Sequence, residues 1–205
     1  MTKIKDKEEY LILPATRGFM GNTDYFATSM KFKDVARLIN YAQDYLVTDV
    51  KISDRLQRNI KEDRTKEIAD YLETSREAFF SALVVGIDGM PKWQCFSNLD
   101  EPINEYANQV GFFKISQADK IYAIDGQHRL SGIKAYVEKF KDDDPKINQT
   151  ISVIFINHEK TKEGIKKSRR LFTVLNNEAV KVAKLDIIYL NEDDLAAIIT
   201  RRFLE

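Results

Sequence analysis

The stretch Lys120 to Phe140, KIYAIDGQHRLSGIKAYVEKF, constrains the fold of this chain more than any other. Ile121, Tyr122, Ala123 and Ile124 form a short apolar run of strand-favouring residues, and Asp125-Gly126 is a turn signal. Beyond it Leu130, Ile133, Val137 and Phe140 recur at helical spacing, with Lys and Glu between them. The segment reads as strand, tight turn, helix, and the turn carries Asp125, Gly126, Gln127, His128 and Arg129. A helix N-terminus presents unpaired N–H groups and a partial positive charge. Gly126 lets an anion approach those groups closely. Arg129 can fork onto a phosphate, Gln127 adds an amide, and His128 accepts or donates a proton near neutral pH. If there is catalysis, Asp125 and His128 are the candidate acid–base pair. The same residues also serve as plain α/β punctuation, with Asp125 capping the helix and Arg129 paired to a nearby acid. Both readings stand at this point.

The flanking pattern fits a mixed α/β sheet. Tyr10 to Leu13 reads as a strand stopped by Pro14, followed by a glycine turn at Arg17 to Gly21 and a second strand over Tyr25 to Phe32. Phe32 to Leu46 reads as a helix, with Val35, Leu38, Ile39, Ala42 and Leu46 on one face. A second helix runs from Asp63 or Thr65 to Ser75, with Ile68, Ala69 and Leu72 inward. Phe79 to Ile87 is near-continuously apolar and reads as a buried strand. Asp88-Gly89 reads as a hairpin turn that brings Trp93 to Phe96 alongside it. Asn98 to Gln117 reads as a loop with one helical turn, and Lys141 to Gln149 as a charged loop. Ile151 to Ile156 is another buried-type strand. Lys162 to Leu175 is a helix with Ile165, Phe172 and Leu175 inward, and Leu185 to Leu190 and Asp194 to Phe203 are further helical stretches.

Composition excludes several classes. With 205 residues, 43% hydrophobic and 31% charged, the chain is globular and is expected to form a single domain. Lys+Arg and Asp+Glu are both 32, so any nucleic-acid site must be a local patch. A single Cys, Cys95, rules out an internal disulfide, and two His, His128 and His158, rule out a multi-histidine metal site. No apolar run approaches the ~20 residues of a membrane span. The charged N-terminus has no signal-peptide core, so a cytoplasmic, reducing setting is expected.

Basic residues concentrate in two places. Arg55, Arg58 and Arg64 are spaced ahead of and into the second helix, and Lys166, Lys167, Arg169 and Arg170 form the densest cluster. These are the candidate DNA-contacting residues. A solvated flank paired with Asp54, Glu62 and Asp63 accounts for the first group equally well. On a helix the second group spreads around most of a turn, so not all of it can face one partner, and a solvated helix flank accounts for it as well. Asn176, Asn177 and Glu178 end the Lys162 helix; they are oxygen donors suited to Mg²⁺, or simply a C-terminal turn.

The run IDGQHRLSGI, residues 124–133, resembles the DGQHR-domain family, to which the DNA sulfur-modification protein DndB belongs. Pro14 to Gly18, RNIKEDRTKEIADYL from Arg58, and RRLFTVLNNEA from Arg169 resemble further segments of the family in the same order. The likeness covers residues 10 to 190. That family is similar to the ParB/sulfiredoxin superfamily, and the resemblance implies a ParB-like mixed sheet flanked by helices, with trailing C-terminal helices. It implies nucleotide phosphate at the G-x-x-R turn, here Gly126 and Arg129, with ATP or CTP and Mg²⁺. Asn176, Asn177 and Glu178 are the nearest counterpart of a Mg²⁺-holding Glu-Asn pair, in a different order. It also implies a DNA-binding regulator of a phosphorothioation or related defence system, working with DNA and DNA-modification partner proteins; homo-oligomers are also to be tested for. The alternatives are a nucleotide hydrolase or phosphotransferase acting with such a partner, and a scaffold without chemistry. Sulfiredoxin-type reduction needs a Cys near this turn, and none is present there. The chain is expected to be the N-terminal part of a longer family architecture.

Overall fold

The computed structural model describes residues 10–42, 62–96, 106–116, 118–158, 161–177 and 195–204. Its strands are β1 (Tyr10–Met20), β2 (Thr23–Lys31), β3 (Ile39–Tyr41), β4 (Leu83–Asp88), β5 (Lys92–Cys95), β6 (Val110–Ser116), β7 (Lys120–Asp125) and β8 (Thr150–His158). Its helices are α1 (Phe32–Leu38), α2 (Glu62–Thr74), α3 (Gln127–Val137), α4 (Lys162–Asn177) and α5 (Leu195–Leu204). The strands form one sheet in the order β3-β7-β4-β8-β2-β1-β6-β5. β3 is parallel to β7 and β4 to β8, while the other neighbours are antiparallel. The mixed α/β class expected from the sequence is thus the one observed. The chain divides into two compact units, Met1–Thr173 with the whole sheet and Val174–Glu205 with α5. No helix among the described residues is long and apolar enough to cross a membrane.

Alternation along the central strands builds the core. Leu83, Val85 and Ile87 of β4, Ile121 and Ala123 of β7, and Val153 and Phe155 of β8 all lie in one buried cluster. Val35 of α1, Ala69 and Leu72 of α2, and Leu130 and Ile133 of α3 join it, so these three helices cover that face. Each Val, Leu, Ile or Phe side chain so removed from water contributes about 1.5–3 kcal/mol. α2 and α3 approach closely because position 132 has no side chain; a Cβ on Gly132 would lie 2.2 Å from Ile68 Cγ2. Beside it the hydroxyls of Thr65 and Ser131 are 2.8 Å apart.

The opposite face carries α4. The Tyr122 ring lies over Gly86, and its hydroxyl is 3.0 Å from the buried Ser168 Oγ of α4. Ser168 Oγ donates to the Gly164 carbonyl one turn back, 3.1 Å away. Burial pushes the Tyr122 phenol above its ordinary range; the Ser168 bond opposes that rise and the Asp88 carboxylate adds to it.

Several expectations are corrected. The helix from Phe32 stops at Leu38, because Ile39–Tyr41 pairs in parallel with Ile121–Ala123. Ile39 suits either a helix face or a sheet, and the open side of β7 decides for the sheet; Leu46 lies outside the described residues. Pro14 does not stop β1, because it lies one residue before the β1–β2 ladder begins at Ala15↔Thr28, where no N–H is required toward β2. Arg17 to Gly21 is strand up to Met20, and the turn is Gly21-Asn22. The strand expected from Phe79 starts at Leu83, and Phe79 is 83% exposed. Trp93 does not pair back on that strand: β5 joins β6, while β4 is sandwiched between β7 and β8. The loop expected over Asn98 to Gln117 contains β6, whose Gly111, Phe113 and Ile115 are the buried alternate positions. Ile165 is exposed; Gly164 and Ser168 are buried on the inner side of α4 in its place. The Leu185 to Leu190 helix lies outside the described residues.

Candidate functional site

The turn after β7 is a single residue. Gly126 has φ +87° and opens α3 without a side-chain cap, and Gln127 to Arg129 form the first helical turn. A Cβ there would be strained by that φ and would meet Leu83 Cδ2 at 2.6 Å and Arg129 Nη2 at 3.0 Å. Asp125, Gln127, His128 and Arg129 are all half-buried, and His128 Nδ1 is buried.

Arg129 folds back over this turn. Its Nη2 donates to Asp125 Oδ2 at 2.8 Å. Its Nη1 donates to the Ser81 carbonyl at 2.7 Å and the Ala82 carbonyl at 2.9 Å, and also bonds Ser81 Oγ. The guanidinium thus ties the end of β7 to the residues that lead into β4, which runs antiparallel beside it. Charge-assisted bonds of this kind are the stronger class. In this arrangement the side chain satisfies two carbonyls and a carboxylate of its own chain. These bonds use Nη1 and one contact of Nη2, out of the five N–H donors of a guanidinium.

The cationic candidates are divided between the two faces. Arg64 is exposed on α2, in the helix layer over the apolar core. Arg55 and Arg58 lie outside the described residues. On α4, Lys166, Arg169 and Arg170 are exposed. At 3.6 residues per turn they share an arc of about 100°, opposite Ser168, which faces the sheet. Lys167 leaves this arc and bonds the Asn22 carbonyl at 3.4 Å, next to the β1–β2 turn. Asn176 and Asn177 close α4, and Glu178 lies outside the described residues. Among the described residues no group of three or more His, Cys, Asp or Glu converges on a point where a metal ion would sit.

Two structural features of these regions leave little trace in the sequence. The Ser81–Ala82 carbonyls that hold Arg129 are far away in sequence and carry no side-chain signal. For Arg17 to Gly21 the sequence offers a glycine turn or a phosphate contact at Gly18 and Gly21, and neither singles out Phe19 and Met20, large apolar residues just before the turn.

Comparison with curated proteins and with solved structures returned no match. A family model described as DNA-sulfur modification-associated, DndB, matches residues 13–205. That span takes in the sheet from Leu13 onward, the Asp125–Arg129 turn and α4. The chain belongs to the DndB family of DNA-sulfur modification-associated proteins.

Proposed function

We propose that this chain is a DNA-binding regulator in a DNA sulfur-modification system and that the outer arc of α4 meets the sugar–phosphate backbone. One observation carries the reading. Lys166, Arg169 and Arg170 lie together and exposed on a helix whose opposite side is fastened to the sheet through Ser168. With formal net charge +0, attraction to DNA has to come from such a local concentration. A helix held at its back presents those cations at fixed spacing, as phosphate contacts require. Lys166→Glu, Arg169→Glu and Arg170→Glu together should abolish binding near physiological salt. Single reversals should each lower the slope of log affinity against log salt by about 1. Absence of duplex binding by the unmodified chain at low salt would overturn the reading.

A second reading keeps a nucleotide phosphate over Gly126 to Arg129, with Mg²⁺ and ATP or CTP, and with Asp125 and His128 for acid–base work. The uncapped, left-handed entry into α3 supports it, since the first-turn amides have no side-chain acceptor at the cap. Arg129 would then exchange Asp125 for the phosphate. Nucleotide-dependent melting that disappears in Arg129→Ala tests it, and an unchanged melt with every nucleotide ends it.

A further inference from the structure

We infer that the end of the β1–β2 hairpin is a two-stranded probe that enters the major groove of duplex DNA and sets Phe19 and Met20 against thymine methyl groups. This inference rests on the DNA-binding reading above.

The registers define the probe. β1 pairs with β6 only as far as Thr16↔Val110, and β2 pairs with β8 only from Tyr25↔Ile156 onward. Beyond those limits Phe19↔Asp24 and Met20↔Thr23 pair with each other alone, closed by Gly21-Asn22, while Arg17 and Gly18 face Phe26 and Tyr25, which β8 still holds. The hairpin therefore continues past the rest of the sheet as a ribbon of two strands. Two strands lie about 4.8 Å apart, and the major groove, ~12 Å wide, admits such a ribbon.

The last two residues of β1 before that turn are large and apolar. Phe19 is 76% and Met20 78% exposed. An exposed apolar residue alone says little, but Phe19 stands beside the cationic helix. Lys167 of α4 bonds the Asn22 carbonyl, and Phe19, Asn22, Lys167 and Glu163 line one open cleft of about 550 Å³. Glu163 makes the cleft itself a poor anion site, so the phosphates belong on the neighbouring arc of Lys166, Arg169 and Arg170. The tip's own acid, Asp24, is paired with Arg17 at 2.9 Å, which removes its repulsion toward the backbone. A cationic helix on the phosphates with an apolar ribbon beside it matches duplex DNA in charge. In the major groove the apolar target is the C5-methyl of thymine.

The test measures binding of the full chain to an A·T-rich duplex and to the same duplex with dU in place of dT. Removing the methyls should weaken binding about fourfold for each one that the tip buries. Phe19→Ala with Met20→Ala should weaken binding to the dT duplex about tenfold, abolish the dT/dU difference and leave the salt slope and melting temperature unchanged. Equal affinity for the two duplexes, unaltered binding by the double variant, or an effect of the variant on self-association in place of DNA affinity would each overturn the inference. In those cases a retained salt slope would leave the α4 reading intact, whereas no binding to either duplex would remove both.

Discussion

On one face of the sheet Leu83, Val85, Ile87, Val153 and Phe155 share an apolar cluster with residues of α1, α2 and α3. On the other face α4 is fastened at Ser168 by a buried chain of hydroxyls, Tyr122 to Ser168 to the Gly164 carbonyl. The first attachment draws its strength from area and volume. The second depends on direction, since a hydroxyl bond works only at one geometry. Gly164 and Ser168 are the buried positions of α4, and Lys166, Arg169 and Arg170 are exposed on its other side. The difference separates two tasks: the first face makes the domain stable, and the second orients a helix.

The sharpest way to break this contrast is in the core. Phe155→Ala should cost about 3–5 kcal/mol of unfolding free energy, because Phe155 is fully buried and its ring contacts Phe113 at 5.2 Å between centroids. Chemical denaturation measures it, and a cost below 1 kcal/mol would mean that this face is not the stabilising one. An intermediate effect is expected between β7 and β4. Arg129→Ala should cost about 1.5–3 kcal/mol, since it strands the Ser81 and Ala82 carbonyls and the Asp125 carboxylate. An unaltered melt with lost affinity for phosphate ligands would show the guanidinium serving a ligand rather than the fold.

The smallest effect should be at the hydroxyl chain. Tyr122→Phe should cost about 0.5–1.5 kcal/mol at neutral pH. Its pH signature has a definite sign. The folded phenol is held above its ordinary value, chiefly by burial, so the unfolded chain ionises first. The stability from this group is complete below about pH 10 and is lost as pH rises through the higher folded value. Tyr122→Phe should therefore flatten the alkaline arm of the stability curve, and an unchanged arm would place the titration elsewhere.

The strand, turn and helix from Lys120 to Phe140 were legible because period and punctuation change at one residue, Gly126. Ile39 was misleading, since its fate depends on an open edge of β7 that only the assembled sheet provides. Gly111 and Lys114 hid β6 by diluting its alternation. For Arg129 the sequence left a phosphate fork and an internal acid partner both open. Asp125, four positions back, is visible in the sequence, but Ser81 and Ala82 are backbone acceptors and leave no mark there. On α4 the basic run read as scattered around a turn; burial of Ser168 sorts Lys166, Arg169 and Arg170 to one side and Lys167 to another.

The β2–β8 ladder has a consequence for synthesis. Lys31 pairs with Thr150 and Tyr25 with Ile156, so the first hairpin emerges long before its second neighbour exists. At ~5–20 residues per second, the ribosome leaves it waiting on the order of ten seconds with one edge of β2 bare. Until β8 arrives that edge is a template for any passing strand, and a chaperone that covers it would raise the yield of native chain more than one acting on the finished sheet.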